Sequence, residues 1–273
     1  MTKNIISSKE LKKILNIKNL KILDSRWYLN FPKKGFHEFK SSHIPNASFF
    51  DIEKNSDKKI DLPHMMPQKI NFEKYVNENG ISKKNLIIIY DQVGFFCSTR
   101  VWFMFKYFGF ENTKILEEGY EGWIKKNYPT SSLDTKPKKI KSKIIENKKF
   151  IITKKEIVKN LKKKNLIIFD ARSKKRFLGI EKEPRANLQS GNIIGSINIP
   201  YKDLSKNGKF LKKKELKKIF DKNSYFGNKK IVCTCGSGIT ACNIFFALEI
   251  LGFNNLTLYD GSWAEWGKKS KQI

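Results

Sequence analysis

The chain is organised by one stretch that occurs twice: residues 20–26 read Leu-Lys-Ile-Leu-Asp-Ser-Arg, and residues 166–172 read Leu-Ile-Ile-Phe-Asp-Ala-Arg. Each stretch is an apolar run that ends in Asp-x-Arg. Such a run is too short for a helix and is typical of a buried parallel strand. The two stretches therefore indicate an internal repeat. We expect the aspartate and the arginine of each copy to pair where the strand ends.

Both copies surround this strand with the same order of elements. Before it, Ser7 with Glu10 and Thr153 with Glu156 have the spacing of a capping box, which predicts a short helix in each copy. After it, the pattern predicts strands over 86–90 and 114–116 in the first copy, and strands over 231–234 and 256–259 with a helix over 241–251 in the second. Strands that alternate with helices indicate an α/β fold, in which each copy forms a parallel sheet flanked by helices on both faces.

The repeat also predicts the domain organisation. The first copy covers residues 1–124 and the second covers residues 149–273, and each is long enough for a core of its own. Residues 125–148 are polar, rich in lysine and contain two prolines, which is typical of a linker.

The charge of the chain is strongly positive, with 55 basic residues against 26 acidic ones and a net charge of +29. Such a charge is typical of proteins that bind nucleic acid or an anionic membrane. However, 50 of the basic residues are lysines that are spread over the chain in pairs and triplets, which favours solvated surfaces. We therefore expect neither a nucleic-acid partner nor a membrane partner. The alternative, a basic nucleic-acid-binding protein on an inert scaffold, would show salt-dependent gel shifts.

Targeting signals and cysteine usage predict the compartment. No apolar run approaches the ~18 residues of a membrane-spanning helix, and the N-terminus has no apolar segment like that of a signal peptide. Three of the four cysteines, Cys233, Cys235 and Cys242, lie close together, which does not suit a secreted disulfide framework. Their spacing does not suit a zinc site either. We expect a cytoplasmic protein without a metal.

The loop after the third strand of the second copy carries the predicted chemistry. It reads Cys235-Gly236-Ser237-Gly238-Ile239-Thr240, and the two glycines are expected to take positive φ values so that successive amides face the sulfur. Backbone amides at a helix N-terminus favour an anionic sulfur over a thiol. The first copy has Asp91 at the same place, and a carboxylate cannot act as a soft nucleophile. The sequence thus predicts an inert first domain and a catalytic second domain.

With these residues the chain resembles the tandem-domain sulfurtransferases of the rhodanese fold. The resemblance covers nearly the whole chain, and the loop 235–240 is similar to the Cys-Gly-Ser/Thr-Gly-Val-Thr loop of the branch that uses 3-mercaptopyruvate. The branch that uses thiosulfate instead has Arg and Lys after the cysteine. The resemblance implies that Cys235 is the nucleophile, and that Gly236, Gly238, Ile239 and Thr240 contact the substrate.

Further site residues follow from the same resemblance. Residues 176–185 are similar to a family stretch whose two arginines bind the substrate carboxylate, and these are Arg176 and Arg185 here. Guanidinium groups bind carboxylates with two hydrogen bonds, which suits that role. Glu53, His64 and Ser237 match positions at which the family is proposed to relay protons.

The resemblance implies a two-step reaction without a metal or organic cofactor. Cys235 takes the sulfur of 3-mercaptopyruvate, pyruvate leaves, and the resulting persulfide passes its sulfur to cyanide or to a thiol, such as that of a thioredoxin-like protein. A thiosulfate:cyanide sulfurtransferase, which differs only in its donor, remains the alternative. The protein is expected to act as a monomer.

Overall fold

The computed structural model describes residues 4–161, 163–221 and 229–269, which form two compact units. The first unit is built from the described residues within Met1–Asp57, Met66–Asn147 and Asn207–Phe210. The second unit is built from those within Lys58–Met65, Lys148–Lys206 and Leu211–Ile273. Each unit therefore contains a short segment that comes from the other half of the sequence.

The first unit contains one parallel sheet with helices between its strands. Its strands are β1 (Ile5–Ile6), β2 (Leu20–Asp24), β3 (Ala47–Phe49), β4 (Leu86–Tyr90) and β5 (Thr113–Leu116). Its helices are α1 (Ser8–Ile14), α2 (Lys34–Ser41), α3 (Lys69–Glu78), α4 (Ser98–Tyr107) and α5 (Gly119–Ile124).

The second half of the chain repeats this series with some additions. Its strands are β6 (Ile151–Ile152), β7 (Leu166–Asp170), β8 (Ile197–Asn198), β9 (Ser205–Lys206), β10 (Lys209–Phe210), β11 (Lys230–Thr234) and β12 (Leu256–Tyr259). Its helices are α6 (Lys154–Leu161), α7 (Lys174–Phe177), α8 (Lys213–Asp221), α9 (Ala241–Leu251) and α10 (Ser262–Trp266), with single 3₁₀ turns at Lys148–Phe150 and Tyr201–Leu204.

The two five-stranded sheets have the same topology. Their strand orders are β1-β5-β4-β2-β3 and β6-β12-β11-β7-β8, and all neighbours in both sheets are parallel. Asp24 pairs in register with Tyr90, and Asp170 pairs with Thr234. The residues that follow these positions therefore lie at the carboxyl edge of each sheet, where α/β proteins bind their ligands. The predicted α/β fold with two repeated domains is confirmed.

The Asp-x-Arg pairs form as predicted. The Arg26 guanidinium donates two hydrogen bonds to Asp24, and Arg172 does the same to Asp170, with closest distances of 2.7 Å in each case. All four side chains are buried, so each charge needs its partner. Each pair locks the chain where it leaves its strand.

Sequence patterns also account for the helices next to the strands. Ser7 and Glu10 form the predicted capping box at the start of α1, and Thr153 and Glu156 exchange the same bonds before α6. Helix α9 is buried over eight successive residues, Ala241 to Leu248, which explains its almost entirely apolar sequence. Among the described residues, no helix is long and apolar enough to cross a lipid bilayer.

Candidate active site

The loop 235–240 connects β11 to α9 at the carboxyl edge of the second sheet. Cys235 follows β11 directly and is 2% exposed. The N-terminus of α10 anchors the loop, because the Trp263 amide donates to the Cys235 carbonyl at 2.9 Å and the Ala264 amide donates to the Gly236 carbonyl at 2.9 Å. The Cys235 sulfur is thus carried by a backbone that β11 and α10 hold in place.

Ser262 supports the start of this loop, a role that sequence reasoning did not assign to it. Its hydroxyl accepts a hydrogen bond from the Cys235 amide at 3.2 Å and donates one to the Tyr259 carbonyl at 2.8 Å. Ser262 is buried and has a φ of 49°, a left-handed conformation that is uncommon outside glycine. The first unit has Gly119 at this place, with a φ of 56°. A serine in the second copy where the first copy has a glycine was the sequence signal that could have pointed to Ser262.

The matching loop of the first unit shows what such a loop does to an anion. The buried Asp91 carboxylate accepts hydrogen bonds from five backbone amides, four of them at 2.8–3.0 Å; the donors are Val93, Gly94, Phe96, Cys97 and Ser98. Helix α5 anchors this loop as α10 anchors the other, since the Tyr120 amide donates to the Asp91 carbonyl at 2.8 Å. The loop of the first unit is therefore an anion cradle that its own carboxylate fills.

The two glycines of the Cys235 loop serve different purposes. Gly238 has the expected positive φ, at 79°. Gly236 does not, so the prediction of a positive φ there is wrong. A Cβ atom at Gly236 would instead lie 2.9 Å from Nη2 of Arg176. Residue 236 is therefore a glycine because the Arg176 guanidinium lies against the loop.

Glu183 fixes the position of that guanidinium. Its side chain is 2% exposed and accepts hydrogen bonds from Nε and Nη2 of Arg176. The same carboxylate accepts a bond of 2.8 Å from Arg172, whose guanidinium also stacks 4.2 Å above the Trp263 ring. Buried carboxylates between two arginines hold both of them rigidly. Glu183 is thus a positioning residue that lies within the predicted stretch 176–185.

His64 and Ser237 are in contact. Both belong to the second unit, both are buried, and His64 Nδ1 lies 3.1 Å from Ser237 Oγ. His64 also has a left-handed φ of 57°. The two side chains thus share a hydrogen bond two residues along the chain from Cys235.

The remaining predicted site residues are placed as follows. Arg185 is half-buried and lines a cavity in the second unit, described below. Ile239 is buried, and the half-buried Thr240 precedes α9. Glu53 lies in the first unit, where its carboxylate accepts a hydrogen bond of 2.9 Å from the Trp27 indole.

The other two cysteines of the second unit have structural surroundings. Burial, and then the nearby Cys242 and Cys235 thiols, raise the pKa of the Cys233 thiol well above its ordinary value. Such a thiol stays protonated and unreactive. Cys242 is buried in α9 and its sulfur donates to the Gly238 carbonyl at 3.2 Å. No group of three or more His, Cys, Asp or Glu side chains is arranged to hold a metal ion in the described part of the chain.

This chain is similar to known proteins in sequence and in fold. A family model described as "Rhodanese-like domain" matches residues 7–126 and 153–269. The chain is 36% identical to 3-mercaptopyruvate sulfurtransferase of Mus musculus, over 90% of this chain and 84% of that protein. It is 34% identical to thiosulfate sulfurtransferase of Rattus norvegicus, over 92% and 86% of the two chains. The structure of SseA from Escherichia coli, titled as a 3-mercaptopyruvate sulfotransferase, superposes with a TM-score of 0.87 at 28% identity and covers 96% of this chain and 99% of that one.

These matches cover both copies of the repeat, including the Cys235 loop and the stretch 176–185. The chain therefore belongs to the rhodanese family and consists of two rhodanese-like domains.

Proposed function

We propose that this protein is a sulfurtransferase that takes the sulfur of 3-mercaptopyruvate onto Cys235 and passes it to a thiol or to cyanide. The position of Arg176 favours this donor. Its guanidinium lies against Gly236 and is held there by Glu183. A cation that is brought to the loop from α7 suits a donor with a carboxylate at one end and a sulfur at the other.

The first half of the reaction transfers a sulfur atom without any redox partner. Arg176 and Arg185 bind the donor carboxylate, and the Cys235 thiolate attacks the donor sulfur. The carbon–sulfur bond breaks, its electron pair leaves as the enolate of pyruvate, and a proton converts that enolate to pyruvate. The contact between His64 and Ser237 supports a role for both in delivering the proton from solvent. A part for Glu53 in this relay stays a prediction.

The second half returns Cys235 to its starting state. The persulfide on Cys235 is anionic, and the five amide bonds to Asp91 in the first unit support the view that this type of loop stabilises such a charge. A thiolate or cyanide then attacks the outer sulfur, the sulfur–sulfur bond breaks, and Cys235 leaves as the thiolate.

Similarity to known proteins does not select the donor, because the relatives named for mercaptopyruvate and for thiosulfate are almost equally identical to this chain. The loop does favour one. Gly236 and Ser237 bring no charge to a compact dianion such as thiosulfate, and a Cβ atom at 236 would lie 2.9 Å from Nη2 of Arg176, so the guanidinium would have to shift. We expect the wild-type protein to turn over 3-mercaptopyruvate faster than thiosulfate at equal low concentrations, as steady-state assays would measure. Faster turnover of thiosulfate would establish the alternative donor.

Arg176→Ala is expected to lower kcat/KM for 3-mercaptopyruvate roughly tenfold to a hundredfold, since a charge-assisted hydrogen bond contributes about 1.5–3 kcal/mol. Arg176→Lys should restore only part of this loss, because an ammonium group cannot bind a carboxylate through two bonds. Lys175→Ala is the matched control, since Lys175 is the exposed neighbour on the same helix. Equal losses with thiosulfate in Arg176→Ala would contradict a role in binding the carboxylate.

Gly236→Ala tests the close approach of Arg176 to the loop without removing the guanidinium. The new methyl group would meet Nη2 at 2.9 Å and displace the guanidinium, so kcat/KM for 3-mercaptopyruvate should fall about tenfold, as misplaced binding groups commonly cause. The melting temperature should not change, because the displaced atom is the end of a flexible side chain. An unchanged kcat/KM would show that Arg176 need not lie against the loop.

One relative bears on the partner and the compartment. A subunit of yeast mitochondrial complex I that is titled a sulfur transferase is 31% identical, with a TM-score of 0.88 and coverage of 99% of this chain and 98% of that one. Relatives of this fold thus occur in more than one setting. A cytoplasmic location, a monomeric state and a thioredoxin-like acceptor remain predictions.

A further inference from the structure

A cavity of about 470 Å³ in the second unit brings together three cationic side chains. Its wall includes Asp61, Pro63, Arg185, Ala264, Lys268 and Lys269. This volume is in the range of small-ligand sites. Arg185, Lys268 and Lys269 supply three positive charges to it, whereas Asp61 supplies a negative one.

The cavity adjoins the Cys235 loop. Ala264 forms part of its wall and donates its amide hydrogen to the carbonyl of Gly236, the residue after the reactive cysteine. Pro63 forms another part of the wall and directly precedes His64, which contacts Ser237 in the loop. Two parts of the cavity wall are therefore linked to the loop that holds the sulfur, one by a hydrogen bond and one through the neighbouring His64.

The backbone fixes the two lysines in this wall. Residues 187–189 pair with residues 267–269 through an antiparallel bridge between Leu188 and Lys268, and the Gln189 amide donates to the Gly267 carbonyl at 2.7 Å. The Lys268 ammonium donates to the Asp61 carbonyl oxygen at 3.0 Å, which ties the segment before His64 to the same wall. The Asp61 carboxylate is fully exposed, so water screens its pairing with Lys268.

We propose that this cavity binds the sulfur acceptor and selects thiols that carry two carboxylates. The proposal rests on the proposed function. Once pyruvate has left, Arg185 binds one carboxylate of the acceptor, and Lys268 with Lys269 attracts the second. The acceptor enters as a thiolate and attacks the outer sulfur of the Cys235 persulfide. The sulfur–sulfur bond breaks, the acceptor leaves as a persulfide anion, and Cys235 remains as the thiolate, so that atoms and charge balance.

A matched series of acceptors tests this selection. Mercaptosuccinate has two carboxylates, 2-mercaptopropionate has the same branched thiol with one, and 2-mercaptoethanol has none. Cys235 is loaded with inorganic polysulfide, and the transfer of its sulfur to each thiol is followed by mass spectrometry and by rapid kinetics. Polysulfide makes the acceptor step independent of the identity of the natural donor.

Lys268→Met and Lys269→Met are each expected to lower kcat/KM for mercaptosuccinate about two- to fivefold, with little change for the other two thiols. Asp61→Asn should act in the opposite direction and raise it about twofold, because it removes a negative charge from the cavity and keeps the carbonyl that Lys268 binds. A gain cannot result from a folding defect. Lys214→Met, an exposed lysine on α8, controls for the general loss of positive charge.

Each result bears on the proposal. Equal losses for all three thiols in the lysine variants, or no change with mercaptosuccinate in any variant, would overturn the second subsite while leaving the proposed function intact. If neither 3-mercaptopyruvate nor polysulfide adds sulfur to Cys235, the proposed function fails and this inference fails with it.

Discussion

A Cys235→Ser variant is expected to lose sulfur transfer by at least about 10³-fold, the scale on which removal of a covalent nucleophile acts. The hydroxyl of serine forms no persulfide, whereas the loop, Arg176 and the fold remain in place. Mass spectrometry after treatment with 3-mercaptopyruvate should show one added sulfur atom on Cys235 of the wild-type protein and none on the variant.

Cys242→Ser is the matched control for this experiment. A serine hydroxyl can donate to the Gly238 carbonyl as the thiol does, so the loop should keep its shape and most of its activity. Cys233→Ser should also retain most activity, because burial keeps that thiol protonated. A persulfide found on Cys233 would refute the assignment of the nucleophile.

Asp91→Asn is expected to destabilise the first unit by roughly 3–5 kcal/mol, the cost of leaving buried donors without a partner. The wild-type carboxylate accepts five amide hydrogen bonds, whereas an asparagine side chain turns an NH₂ group toward some of the same donors. Urea denaturation would measure the change in the free energy of unfolding.

Asp134→Asn serves as the control for that variant. Asp134 is exposed and pairs with Lys40 on the surface, so its replacement should leave the unfolding transition where it is. If Asp91→Asn were as stable as the wild type, the five amides would have to find other partners, and the loop could not be a rigid anion cradle.

Local patterns in the sequence predicted much of the fold. The strands over 86–90 and 256–259 and the helix over 241–251 have the predicted bounds. The strands β5 and β11 begin at residues 113 and 230, each one residue earlier than predicted. These elements depend on apolar runs and on flanking glycines, which are visible within a few residues. The Asp-x-Arg pairs were predictable for the same reason, since both partners lie in one short stretch.

Features that depend on distant residues were not predictable in this way. The reason for a glycine at 236 is the guanidinium of Arg176, sixty residues earlier, and not the local backbone angle. The Asp91 cradle was missed because its loop lacks the Cys-Gly-x-Gly pattern, although its amides converge all the same. The contribution of Asp61 to the cavity beside Arg185 depends on the placement of Lys58–Met65 in the second unit, which no local pattern shows.

The exchange of short segments between the halves restricts how this gene can evolve. A fragment that began at residue 149 would encode Cys235, Arg176 and Arg185 but would lack His64, and a fragment that ended at residue 124 would lack Gly208, whose carbonyl accepts the Glu118 amide at 3.0 Å. Neither copy is therefore a self-sufficient module that recombination could move on its own. A recombination event that separated the two halves would remove His64 from the unit that holds Cys235 and Gly208 from the unit that holds Glu118.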